Sequence, residues 1–227
     1  MKVVAALIGF LLAGAAFAQT PSSPVNRAHV SFTVERPQLE PTDYSLEIYE
    51  DGSGSYRASY TASANGDSAP EPVARAIHIH NPLLSELFRE ARGHHYFAFN
   101  CEERHDRVAF TGKKTLAYSG PDGAGSCTFN YSREQWVNQL ADDLEAVGYT
   151  LEIGVKLKQE QRYQRLSLDD ELASLENATQ NHEAIEIENI APELESIVGD
   201  DAVMKRARER AYKLLSEAGG VHRASRE

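Results

Sequence analysis

Cysteine is scarce in this chain, positive charge is in deficit, and no apolar run beyond the first eighteen residues is long enough to cross a bilayer. Each shortage removes a class of function. A membrane span needs roughly 20 successive apolar residues, so no transmembrane segment is expected past the N-terminal stretch. With 34 acidic against 23 basic side chains and a formal net charge of −11, nucleic acid and anionic lipid are poor partners, because both would be repelled. The two cysteines, Cys101 and Cys127, fit neither a Cys-x-x-Cys redox motif nor a zinc spacing. Reaction motifs are missing as well. There is no Gly-x-Ser-x-Gly and no His-Glu-x-x-His. The glycines from Gly120 to Gly125 lack the Gly-Lys-Ser/Thr and following helix of a phosphate loop, and they suit a hairpin turn instead. No cofactor is expected, and the balance leans against an enzyme, although triads can form without a local signature.

What is present begins with a secretory signal. Lys2 supplies a positive start, Val3 to Leu12 is almost wholly apolar, and Ala16-Phe17-Ala18 places small residues at positions −3 and −1 of a cleavage site. The expected mature chain starts at Gln19, is about 209 residues long, and works in the periplasm or outside the cell. No cysteine follows the cut, which argues against a lipid anchor. Export makes one structural disulfide between Cys101 and Cys127 the natural reading of the pair. Alternation puts Phe97, Phe99 and Cys101 on one face of an expected strand and Cys127, Phe129 and Tyr131 on another, so both thiols face one apolar layer. Closing that loop stabilises the fold by about 3–3.5 kcal/mol in the chain-entropy description.

Periodicity divides the remainder. Residues 19–26 are rich in Pro and Ser and form a flexible lead-in. Residues 27–132 are β-rich. Val30, Phe32 and Val34 alternate with polar neighbours, as do Tyr44, Leu46 and Ile48. Asp51-Gly52-Ser53-Gly54 then turns the chain into Tyr56, Ala58 and Tyr60. Ala62 to Pro72 is a loop, Val73 to His80 a strand, and Leu83 to Ala91 a short helix ended by Gly93. Three strand-like runs follow, at Tyr96–Cys101, Arg107–Ser119 (with a bend at Gly112) and Ser126–Tyr131. From residue 133 to 220 the period is helical. Ser132 and Gln135 suggest a capping box ahead of Trp136, Leu140, Leu144 and Val147. Thr150 to Leu157 fits strand or helix, with helix preferred and a break at Gly148. Helices are expected after Ser167, after Pro192, and from Ala202 to a stop at Gly219-Gly220, leaving 221–227 as a disordered tail. The fold class is therefore α+β: an N-terminal antiparallel β-rich half with one short helix, stapled by the disulfide, then a helical half joined to it as one unit.

Among candidate sites, His78 and His80 share one strand face and could hold zinc or copper with His94, His95 or His105. The competing reading makes Ile77 and Ile79 the inward residues and the histidines a solvated face. Glu102, Glu103 and Asp106 form an acidic turn. Arg206, Arg208, Arg210 and Lys213 make a polar helix face with local pairing, or else a patch for an acidic partner. Asn130-Tyr131-Ser132 and Asn177-Ala178-Thr179 have the form of glycosylation sequons.

The run from Phe110 to Gly123, with Cys127-Thr128-Phe129-Asn130-Tyr131-Ser132 and the later Arg165 to Leu172, resembles uncharacterised exported proteins of Acidobacteria type over roughly Tyr96 to Leu215. The resemblance implies a Gram-negative setting and carries no activity, cofactor or site. Expected functions are a non-catalytic exported protein that binds a protein, peptide or envelope polymer, a periplasmic metal-binding protein using His78 and His80, or a hydrolase of unrecognised type.

Overall fold

A computed structural model describes residues 27–61, 72–103 and 109–224, with side chains as far as residue 219. The signal and lead-in, nearly all of the 62–72 loop, His105, Asp106 and the last three residues lie outside the described residues.

Period-two alternation forms the N-terminal half. Strands β1 (His29–Glu35), β2 (Asp43–Tyr49), β3 (Ser53–Ser59) and β4 (Val73–His78) make a meander. After helix α1 (Leu83–Gly93), β5 (Lys113–Gly120) returns beside β1 and hairpins into β6 (Gly123–Phe129). Among the described residues the sheet has six strands in the order β4-β3-β2-β1-β5-β6, antiparallel throughout. Register aligns the inward side chains into rows. Tyr56, Leu46, Phe32, Leu116 and Cys127 stand opposite one another across five strands, all buried. A one-residue slip of any of these strands would turn its part of the row to water, so the apolar pattern itself enforces the register.

The rest of the chain is helical: α2 (Gln135–Tyr163), α3 (Leu168–Gln180), α4 (Ala191–Val198) and α5 (Lys205–Ala224), with a 3₁₀ turn at Ile187–Ile190 before α4. Helix α2 joins two cores. Its first half, through Val137, Leu140, Leu144 and Leu151, packs with the sheet and α1. Its second half, through Ile153 and Leu157, packs with α3, α4 and α5. The ambiguous stretch Thr150 to Leu157 is thus helix, because its alternate residues face two different cores. The chain does not break at Gly148, where the lack of a side chain admits the ring of Tyr44.

Several expectations give way to packing. Tyr96–Cys101 is not a strand: His95, Tyr96 and Phe97 form a left-handed turn with φ of +52°, +58° and +65°. Its Tyr96 ring stacks on Tyr118 at 5.1 Å and fits only because Gly123 of β6 has no side chain, while Gly125 leaves room for the Tyr96 carbonyl and Ala98. Phe97 and Cys101 are buried nonetheless, and the Cys101–Cys127 disulfide is formed. Strand β4 stops at His78, β5 begins only at Lys113, after Gly112 with φ +133°, and β6 starts three residues earlier than its alternation suggests. The capping box is replaced by a local knot in which Ser132 Oγ accepts the Glu134 N–H and Asn138 bonds both backbone groups of Ser132. Helix α5 runs through Gly219 and Gly220 to Ala224 rather than ending in a tail at 221, since glycine permits a helix stop without enforcing one.

Candidate functional site

Strand β4 is an edge, and an edge strand leaves backbone groups without a neighbour. The helical half supplies one. The Asn189 side chain acts as a peptide surrogate, its Oδ1 accepting the His78 N–H at 2.7 Å and its Nδ2 donating to the His78 carbonyl at 2.9 Å. Two residues on, Glu186 Oε1 accepts the His80 N–H at 2.9 Å, while Glu186 Oε2 lies 2.6 Å from His80 Nδ1. Arg75 reaches Glu193 at 3.0 Å from the same strand. Glu186 holds its position at φ +59°, in the left-handed region. Such backbone persists only where surrounding contacts demand it.

This seam opens into a cleft of about 500 Å³. Leu83, Ile187 and Leu214 give it an apolar wall. Among its described lining residues are five carboxylates (Glu86, Asp143, Glu186, Glu188 and Glu217) and two imidazoles (His80 and His182), with no lysine or arginine. Burial pushes the Asp143 carboxyl above its ordinary value, and the negative charges of Glu86 and Asp142 add to the effect against Gln139 and His182. Donor atoms of His80, Glu186 and Glu188 all lie within 4.8 Å of one another. The cleft can therefore receive cationic groups beside apolar ones, and one corner has the donors to ligate a metal ion.

The other expected residues fall elsewhere. His78 places its ring 4.6 Å from that of His80, edge to face. Ile77 and Ile79 are the buried members of that run, while His78 is exposed and His80 is partly buried beside Glu186. His94 and His95 stand beyond the far end of α1, about 16 Å along the helix at 1.5 Å per residue, so neither can share a metal with His80. His94 stacks on Trp136 at 4.0 Å. Glu102 accepts the Asn130 N–H at 2.7 Å and Glu103 pairs with Arg133 at 2.6 Å, so this acidic turn buttresses β6. The basic residues of α5 do not pair only along their own helix. Arg206 and Arg210 both reach across to Asp169 of α3, and Arg210 also bonds Glu176, so the residues ascribed to a docking patch stitch two helices together.

Glu186, Glu188, Asp143 and His182 escape a reading of the sequence, since they gather from a loop, a 3₁₀ turn and α2. One signal was there. Glu186-Ile187-Glu188 repeats the polar–isoleucine–polar pattern of His78-Ile79-His80 with carboxylates in place of imidazoles, and both central isoleucines are buried.

A second group of titratable residues lies under the sheet. Arg36 pairs with Glu152, and Lys114 Nζ lies 2.5 Å from Glu145. Burial pushes Glu152 up from the usual carboxylate value to about 7, although the adjacent guanidinium opposes this. Tyr44 and Tyr56 are raised by burial in the same place. These groups are packed between α2 and the strands, and their role is to anchor the helix to the sheet.

No protein-family description matches the chain, and no curated protein matches its sequence.

Proposed function

We propose that this chain is an exported, non-catalytic binding protein that takes a basic, partly apolar peptide or protein segment in the seam cleft. The observation that carries this reading is the cleft's chemistry: an apolar wall, five carboxylates and no lysine or arginine among its described lining residues. Its size lies in the usual range for ligand sites, roughly 300–1,000 Å³. The signal-like N-terminus supports export, and so does a disulfide, which persists in oxidising compartments. A nucleophilic hydrolase finds little support here: the only hydroxyl side chain among the described lining residues is that of Thr179, which donates to the Leu175 carbonyl.

Fluorescence anisotropy with two labelled ten-residue peptides, one alternating Lys and Leu and the other Glu and Leu, tests the proposal. The Lys peptide should bind and the Glu peptide should not. The double variant Glu86→Gln/Asp143→Asn should weaken binding about fivefold or more. A control that removes the same formal charge from exposed positions on β1 and the β2–β3 turn, Glu35→Gln/Asp51→Asn, should leave it unchanged. Equal losses in both double variants would mean attraction to net charge alone and would sink the cleft as the site.

A further inference from the structure

We propose that His80, Glu186 and Glu188 form a binding site for a divalent transition metal, with zinc as the best fit. Three observations support the site. The first is convergence: one ligand atom from each residue lies within 4.8 Å of the others. Tetrahedral zinc with ligand bonds of roughly 2.0–2.2 Å holds its donors about 3.4 Å apart, so these atoms need draw together by only about 1 Å.

The second is that both contributing segments are already fastened. His80 follows β4, and the two glutamates flank Ile187, the buried residue that opens the 3₁₀ turn. Asn189 clamps the His78 backbone from one side of the glutamates, and Glu186 Oε1 holds the His80 N–H. A metal would take the place of the hydrogen bond between His80 Nδ1 and Glu186 Oε2, which stand 2.6 Å apart, with the neutral imidazole then carrying its single proton on Nε2. Oε1 could meanwhile keep its bond to the backbone. No segment has to refold for the site to load.

The third is the field and the donor set. Glu86, Asp143 and Glu217 add negative charge to the same cleft. One imidazole nitrogen and two carboxylates suit zinc better than calcium, which takes six to eight oxygens, or magnesium, which keeps several waters. With three protein ligands, a fourth position would face the cleft, and there a water or a donor from a bound ligand would complete a tetrahedron.

This site shares the cleft with the proposed peptide ligand but does not depend on it. The test uses the full chain, secreted from a bacterial host and purified without a polyhistidine tag. It is titrated with zinc chloride against a chromogenic chelator, and separately with cobalt(II) followed by its visible absorption. One equivalent should bind. His80→Ala, Glu186→Gln and Glu188→Gln should each weaken zinc more than about tenfold, and each should lose the tetrahedral cobalt bands. His94→Ala should match the parent, and Glu86→Gln/Asp143→Asn should stay within about threefold of it. Near-ultraviolet circular dichroism checks that each variant is folded. Glu188→Gln preserves shape and backbone contacts, so it remains informative if another variant unfolds. Failure to retain zinc, or retention unchanged in Glu188→Gln, overturns the proposal. Loss in His80→Ala with neither glutamate variant affected also overturns it, since that pattern marks an isolated histidine. Peptide binding that fails while zinc binds normally would remove only the earlier reading.

Discussion

Glu152 offers a direct measure of whether burial or ion pairing wins under the sheet. In the folded chain it keeps its proton up to about pH 7, because burial outweighs the Arg36 guanidinium. In the unfolded chain a glutamate releases its proton near pH 4.3. Between those values the native state holds more protons than the unfolded state, so stability falls as pH rises. The contribution is fully present below the unfolded value and is lost as pH climbs through the folded one. At roughly 1.4 kcal/mol per pH unit, the whole gap between the two values is worth about 4 kcal/mol. Replacing Glu152 with Gln keeps the volume and removes the titration. It also weakens the bond from Arg36, but the pull of that guanidinium is already contained in the net upward shift, which burial dominates. Urea unfolding of parent and variant at half-unit steps from pH 4 to pH 8 isolates the term. The parent's advantage should shrink by about 3 kcal/mol across that range, most steeply between pH 5 and 7. Parallel curves, or a parent advantage that grows toward pH 8, would refute the reasoning and show that Arg36 holds Glu152 ionised.

Two further predictions concern the joints of the fold. A Cβ at Gly154 would collide with the Ile190 side chain at the junction of α2 and the 3₁₀ turn. Gly154→Ala should therefore cost about 1–3 kcal/mol in urea unfolding and weaken zinc binding, and an unchanged midpoint would mean the seam relaxes freely. The disulfide closes a separation of 26 residues, so Cys101→Ser/Cys127→Ser should lower stability by about 3.5 kcal/mol, with reductant giving the parent the same loss. No loss in either would mean that the left-handed turn already holds this part of the chain.

Strands β1, β2 and β3 were legible residue by residue, because one face of the sheet meets the core and the other meets water, and that contrast is written as strict alternation. Helices α3 and α4 and the start of α1 were legible for a similar reason, each having a single apolar stripe. Tyr96 to Cys101 misled because its alternating aromatics satisfy a strand and a left-handed turn equally well. The choice fell to Gly123 and Gly125, some 25 residues away, which leave the space the turn occupies. The partnership of the α5 arginines with Asp169 has no counterpart in the sequence pattern, because pairing between helices has no period along the chain.

By itself, then, the amino-acid order determined the α+β class, the sheet's buried face, the partnership of the two cysteines and the candidacy of His80. Each of these follows from a local pattern or from a count of two. Tertiary structure alone decided what surrounds His80. Glu186 and Glu188 lie more than a hundred residues downstream, and the bonds that bring them in answer to the unpaired backbone of an edge strand. An edge has no fixed signature in sequence, because which strand lies outermost depends on the order in which all the others pair.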